Sequence, residues 1–301
     1  MPTEPETVPA TGAVRDRIIH IADLHFWRFT TNPLRLLNKR ALGNANLLRR
    51  MREFDMARAD DFAAYVCTHG VQDVLLTGDF SCTALDEEFV MARRFVDGFL
   101  SRGCKVVLMP GNHDVYTFES VRKKRFEKHF GDLLTDLHNP FRITLAGGTP
   151  MIVVPTVCPN WVSSRGRITP HAVARTRELI EETDGPVVVA GHYPILRSTP
   201  GYQLTNGRRM LNAELLHQAL GDSKRKILYV CGHVHRFTHV QDARHAGLQQ
   251  LSTGAFFRKA KETQSHGEFS EIHAAQDGFN IYRHRLTETW MREAIDEISR
   301  A

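Results

Sequence analysis

The chain has 301 residues, 42% hydrophobic and 24% charged, with a formal net charge of +5. That composition excludes wholesale disorder and collagen-like repeats, while the length permits two domains or one large α/β unit. The acidic, Pro/Thr-rich stretch from Pro2 to Thr11 has no basic or apolar run, so it does not read as a secretory signal. Residues 1–15 are expected to form a disordered tail, ahead of a single domain over 16–301.

Short β-branched runs then alternate with helical patterns. Strands are predicted at Ile18–Ala22, Val74–Thr77, Val106–Met109, Met151–Val154, Val187–Ala190 and Ile227–Val230. Helices are predicted between them, over Asp55–His69, Asp86–Arg102, Thr117–Phe130, Pro170–Glu182 and Asn212–Leu220. Past Val240 come shorter pieces at Leu248–Ser252 and Phe279–Tyr282, then a terminal helix near Glu288–Ser299. Such alternation implies an α/β architecture with parallel strands. The longest uncharged run, Ile143–Ser164, is broken by Gly147, Gly148, Pro150, Pro155 and Pro159, which rules out a membrane helix there. The five cysteines are odd in number and none are spaced C-x-x-C, so a reducing cytoplasm fits better than a disulfide scaffold.

The charge is unevenly spread. Between Phe26 and Phe54, Arg28, Arg35, Lys39, Arg40, Arg49, Arg50 and Arg52 face the single acid Glu53. Trp27, Phe29, Leu34, Leu36, Leu37, Leu42, Leu47 and Leu48 interleave with them. A second basic run comprises Arg122, Lys123, Lys124, Arg125 and Lys128. Such runs are ordinarily solvated helix faces; beside a catalytic centre they would attract an anionic substrate or surface.

Five predicted strands end in a polar group suited to binding a metal or moving a proton. Ile21-Ala22 leads into Asp23 and His25, and Leu76-Thr77 into Gly78-Asp79. Leu108-Met109 leads into Gly111-Asn112-His113-Asp114, Val189-Ala190 into Gly191-His192, and Val230-Cys231 into Gly232-His233-Val234-His235. The carboxyl ends of strands in an open α/β sheet line one ligand-binding edge, so residues from 23 to 235 are expected to converge. Imidazole, carboxylate and amide oxygen together select Mn, Fe or Zn over thiolate-loving metals.

The ordered blocks D-x-H, G-D, G-N-H-D, G-H and G-H-x-H resemble those of the calcineurin-like metallophosphoesterases, over about Arg17 to Thr238. The resemblance implies two mixed β-sheets in a sandwich flanked by helices, holding two divalent ions, with Mn²⁺ the leading identity and Fe or Zn the alternatives. It implies Asp23, His25 and His235 as ligands of one ion, Asn112, His192 and His233 of the other, and Asp79 as the bridge. It makes His113 the residue that contacts the phosphoryl oxygen or protonates the leaving group, with Asp114 orienting its ring.

Departures narrow the branch. Gly78-Asp79 continues as Phe80-Ser81-Cys82, unlike the serine/threonine phosphatases of this superfamily. Cys82 stands where purple acid phosphatases place a tyrosine ligand, and they lack the His25 equivalent. Phosphodiesterases and pyrophosphatases remain. The run Asn32-Pro33, Lys39-Arg40, Gly43 and Asn46 resembles the chlamydial-type UDP-2,3-diacylglucosamine hydrolases of lipid A synthesis. On that reading, 26–54 is a lid for a lipid-linked nucleotide, or a peripheral contact with the inner membrane. The alternatives are a class III cyclic-nucleotide phosphodiesterase, a nuclease, or an inert metal-binding scaffold. A nuclease is disfavoured because aromatic interleaving is confined to Phe26, Trp27 and Phe29.

Overall fold

The computed structural model describes residues 10–36, 39–54, 56, 59–202, 206–259, 265–295 and 299–300. In chain order the first half comprises β1 (Val14–Ile21), α1 (Pro33–Leu36), α2 (Arg40–Glu53), α3 (Ala59–Thr68), β2 (Asp73–Leu76), α4 (Asp86–Leu100), β3 (Lys105–Leu108), α5 (Phe118–Arg122), α6 (Arg125–Phe130), β4 (Phe141–Thr144) and β5 (Pro150–Val153). The second comprises β6 (Gly166–Arg167), α7 (Pro170–Glu181), β7 (Val187–Ala190), β8 (Met210–Leu211), α8 (Ala213–Gly221), β9 (Ile227–Cys231), β10 (Thr238–Gln241), β11 (Leu248–Ser252), β12 (Glu268–Ala275), β13 (Phe279–Leu286), β14 (Trp290–Ala294) and β15 (Ser299–Arg300).

Two mixed sheets form the body. One has six strands in the order β14-β13-β12-β1-β2-β3, the other seven in the order β15-β10-β11-β9-β7-β5-β4. The strands predicted from β-branched runs pair in parallel, β1 with β2, β2 with β3, β5 with β7, and β7 with β9, and all but β3, at a sheet edge, are central. Their unbroken apolar runs follow from burial on both faces. Ile18, Leu75, Val107, Val188 and Leu228 point into the layer between the sheets. Their neighbours Ile19, Val74 and Val106 pack under α3 and α4. Val187, Val189, Ile227 and Tyr229 pack under α7 and α8. Period-two alternation therefore feeds the central layer and an outer layer from every central strand.

Three expectations change. The tail ends earlier than Arg15: Ala10 and Asn280 exchange hydrogen bonds of 2.9 and 3.0 Å, and Thr11 and Gly12 donate to Asp277 at 3.0 Å. Residues 1–9 lie outside the described residues. The expected terminal helix is instead β14, antiparallel to β13; Trp290 packs its ring on Phe62 at 4.6 Å and Phe269 at 5.2 Å, and tertiary packing overrides local propensity. Residues 296–298 lie outside the described residues. The helix expected over Thr117–Phe130 is broken at Lys124, whose φ of 48° separates α5 from α6.

The 26–54 segment is anchored to the core at several of its described residues, among them Phe26, Arg40, Leu47 and Phe54. Leu47 is buried, and so is Arg40, whose guanidinium donates to the Thr83 and Ala84 carbonyls and pairs with Glu119 at 2.9 Å. Arg40 therefore cannot serve as a substrate cation. Lys39 and Leu42 do reach the cleft described below. The side chains of Leu34, Arg35, Leu37, Leu48, Arg49, Arg50 and Arg52 lie outside the described residues, as does their share in a lid.

Candidate metal centre

Every motif residue lies just past the carboxyl end of one of the parallel strands. Asp23 and His25 follow β1, Asp79 follows β2, and Asn112, His113 and Asp114 follow β3, all on the six-stranded sheet. His192 follows β7, while His233 and His235 follow β9, on the seven-stranded sheet. The centre thus sits at the seam where both sheets end. Main-chain hydrogen bonds tie the loops together: Asp23 N to Gly78 O (3.0 Å), His25 N to Asp79 O (2.9 Å) and Gly232 N to His192 O (3.1 Å).

The geometry is strained. Asp23, His25, Asp79, His233 and His235 have φ between 52° and 68°, a region costing an L-residue roughly 1–2 kcal/mol each. Strain of this kind gathers where side chains must be aimed rather than merely packed. Gly78 has φ +98°, and a Cβ there would lie 2.4 Å from the Gly111 nitrogen. Only a glycine lets the β2 and β3 loops meet so closely.

Two donor sets form around Asp79. In the first, His25 Nε2 and His235 Nε2 are 2.8 Å apart, and Asp23 Oδ1 lies 3.7 Å from His235 Nε2. One ligand atom from each of Asp23, His25, Asp79 and His235 lies within 4.8 Å of the other three. In the second, Asn112 Oδ1 lies 3.1 Å from His192 Nε2 and 2.9 Å from His233 Nδ1. Asp79 faces both sets: Oδ2 is 3.7 Å from His25 Nε2, and Oδ1 is 3.6 Å from His192 Nε2.

The second set shows why a cation fits. His192 Nδ1 must donate to the Thr77 carbonyl at 2.8 Å, which leaves Nε2 as a bare lone pair. His233 Nε2 must likewise donate to the Arg208 carbonyl at 2.9 Å, which leaves Nδ1 bare. Burial lowers the pKa of His192 to about 4 and that of His233 well below its ordinary value, so neither ring is doubly protonated near neutrality. Two bare nitrogens and an amide oxygen therefore converge with no proton to share. A divalent ion resolves that conflict.

Asp114 corrects one expectation. Its carboxylate does not meet the His113 ring; it accepts from Gly111 N (2.8 Å), Ser81 N (2.9 Å), Ser81 Oγ (3.0 Å) and Phe80 N (3.2 Å). Burial and the nearby Asp79 carboxylate push its pKa up. The ring of His113 is instead oriented by the Cys82 carbonyl, to which Nδ1 donates at 2.6 Å, and by stacking on Tyr116. Asp114→Asn is expected to set an amide donor against two of these four donors and cost about 1–3 kcal/mol. The check pairs a melting curve with a pH–rate profile: the melting temperature should fall and the pH limbs stay in place. A moved limb with unchanged melting would restore the ring-orienting role.

The centre opens into a cleft of about 370 Å³. Its walls bring in groups that the motifs did not reveal, chiefly Lys39, Tyr116 and Arg208. Lys39 Nζ donates to Ser163 O at 2.8 Å and sits 4.4 Å from the centre of the Tyr116 ring. Burial lowers its pKa, partly offset by Asp79. The basic composition of 26–54 hinted at Lys39 but could not separate it from buried Arg40 beside it. Among the described residues, no helix is long and apolar enough to cross a membrane.

Solved structures align with this chain. A purple acid phosphatase from yellow lupin (Lupinus luteus) seeds superposes with a TM-score of 0.57 at 11% identity, covering 97% of this chain and 55% of its own. The chain thus spans about half of that protein, and at this identity the likeness concerns the fold alone. TT1561 of Thermus thermophilus gives a TM-score of 0.47 at 13% identity, covering 87% of this chain and 95% of its own. A Vps29 variant from Entamoeba histolytica gives 0.39 at 13%, covering 92% and 98%. No curated protein matches the sequence significantly. The family model of the calcineurin-like phosphoesterases matches residues 16–237, the span that holds both donor sets, and the chain belongs to that family of metal-dependent phosphoester hydrolases.

Proposed function

We propose that the protein hydrolyses a phosphodiester or pyrophosphate bond at a dinuclear centre, with UDP-2,3-diacylglucosamine as the leading specific substrate. The observation that carries the dinuclear reading is Asp79, which offers one oxygen to each donor set. Bound there, two divalent ions would supply a shared water of lowered pKa and neutralise charge on the phosphoryl group. Asp23, His25 and His235 would hold one ion, Asn112, His192 and His233 the other. His113, its ring held by the Cys82 carbonyl through Nδ1, would face the phosphoryl oxygen or the leaving oxygen. Lys39 and Arg208 place two cations in the cleft wall, suited to the second phosphate of a pyrophosphate. Leu42 and Val162 line the same cleft and are 57% and 75% exposed, an apolar rim suited to acyl chains.

A substrate panel with purified protein and Mn²⁺ tests this. The expected result is release of UMP from UDP-2,3-diacylglucosamine, with slow turnover of cyclic nucleotides and DNA. No UMP alongside brisk cyclic-nucleotide turnover would establish the cyclic-nucleotide phosphodiesterase instead. No turnover even of bis(p-nitrophenyl) phosphate would mean an inert scaffold.

A further inference from the structure

We infer that the rim of the cleft is a docking surface for an anionic lipid bilayer, built from α5 and the 161–162 loop rather than from the cations of 26–54. Trp161 is 77% exposed, and its ring lies 4.9 Å from that of Phe118, itself 45% exposed on α5. Val121 stands three residues further along α5, 37% exposed, and Val162 joins Trp161 to the cleft wall. These are large apolar side chains clustered beside the opening, where a monomer gains nothing from exposing them. An exposed indole among aliphatic neighbours is the ordinary anchor at a membrane–water interface.

Charge identifies the occupant. Arg122, Lys123 and Lys124 follow directly on the apolar face and are exposed. Lys123 pairs with Glu119 at 2.8 Å, but that acid is already held by Arg125 and Arg40. Arg122 and Lys124 have no acidic partner among the described residues. Apolar anchors flanked by uncompensated cations match the phosphate layer of an anionic membrane. A face for a specific protein would instead need about 800 Å² of matched surface per partner. Docked this way, the cleft would open onto the bilayer, and an amphiphilic substrate would enter without leaving it. That consequence rests on the substrate proposed above; the docking surface does not.

The test is co-sedimentation of the full chain with phosphatidylcholine vesicles, with and without phosphatidylglycerol, at low and high salt. Binding is expected only to the anionic vesicles and should weaken with salt. Trp161→Ser with Val121→Ser should reduce it about tenfold or more. Arg122→Gln with Lys124→Gln should reduce it about fivefold per charge removed and flatten the salt dependence. Turnover of bis(p-nitrophenyl) phosphate should stay at the wild-type level in both variants, which separates this result from failure of the hydrolase reading. Equal binding to neutral vesicles, or none at all by an active protein, would overturn the inference. So would a dimer that Trp161→Ser dissociates, since the patch would then join two copies of this chain.

Discussion

Asp79→Asn is expected to abolish turnover, by on the order of 10³-fold or more, while leaving the fold intact. Asparagine keeps the shape and one oxygen but replaces the other with an NH₂ group. That group would face either His25 Nε2 or His192 Nε2, which lie 3.7 and 3.6 Å from the two carboxylate oxygens. One donor set would lose its shared ligand, and the charge that holds the two sets together would be gone. In the metal-free protein, Asp23, Asp79 and Asp114 are buried within one small region. Removing one of these charges relieves repulsion, so the apo variant should melt no lower than the apo wild type. The difference should appear with Mn²⁺: wild-type melting should rise with added ion, because ligand binding stabilises the native state, and the variant's rise should nearly vanish. A variant that kept the full metal-induced rise and its activity would remove Asp79 from the centre.

His113→Ala should separate chemistry from metal binding. Its expected loss is about 10²–10⁴-fold in kcat, with metal content unchanged. The ring is tied to Cys82 O, stacks on Tyr116 and stands edge-on to His25, and on the proposed reading it belongs to neither donor set. The main-chain nitrogen of residue 113 donates to Asp79 Oδ1 at 2.7 Å, a bond that alanine preserves. The Asp79 carboxylate therefore stays oriented in the variant. Loss of both ions on this substitution would make His113 a ligand and refute its assignment as the acid.

The parts of this fold visible from sequence were those with strong, local causes. Val74–Leu76 and Ile227–Val230 are apolar on both sides because both faces are buried, and each ends in a polar block that nothing in a core would tolerate. β4 and β12 gave weaker signals. Phe141–Thr144 buries neither face fully, and Glu268–Ala275 carries Glu271 and His273, whose polarity makes sense only beside Arg17, His284 and Arg292. The strand at Trp290–Ala294 exists through its pairing with β13 and the seat of Trp290. At the site, the residues that converge were legible because a motif fixes residue type and order. The partner of His113 was not, since a main-chain carbonyl from Cys82 leaves no trace in residue identity. Lys39 and Arg40 are neighbours of equal charge with opposite fates, one in the cleft wall and one beneath it; only tertiary packing distinguishes them.

The most direct test of the shared carboxylate is an electron paramagnetic resonance spectrum of the Mn²⁺-loaded protein at full occupancy. Two ions bridged through Asp79 within about 4 Å should be exchange-coupled, with a stoichiometry of two per chain and loss of the coupled signal in Asp79→Asn. The hyperfine pattern of isolated Mn²⁺ at full loading, or a single ion per chain, would contradict the account.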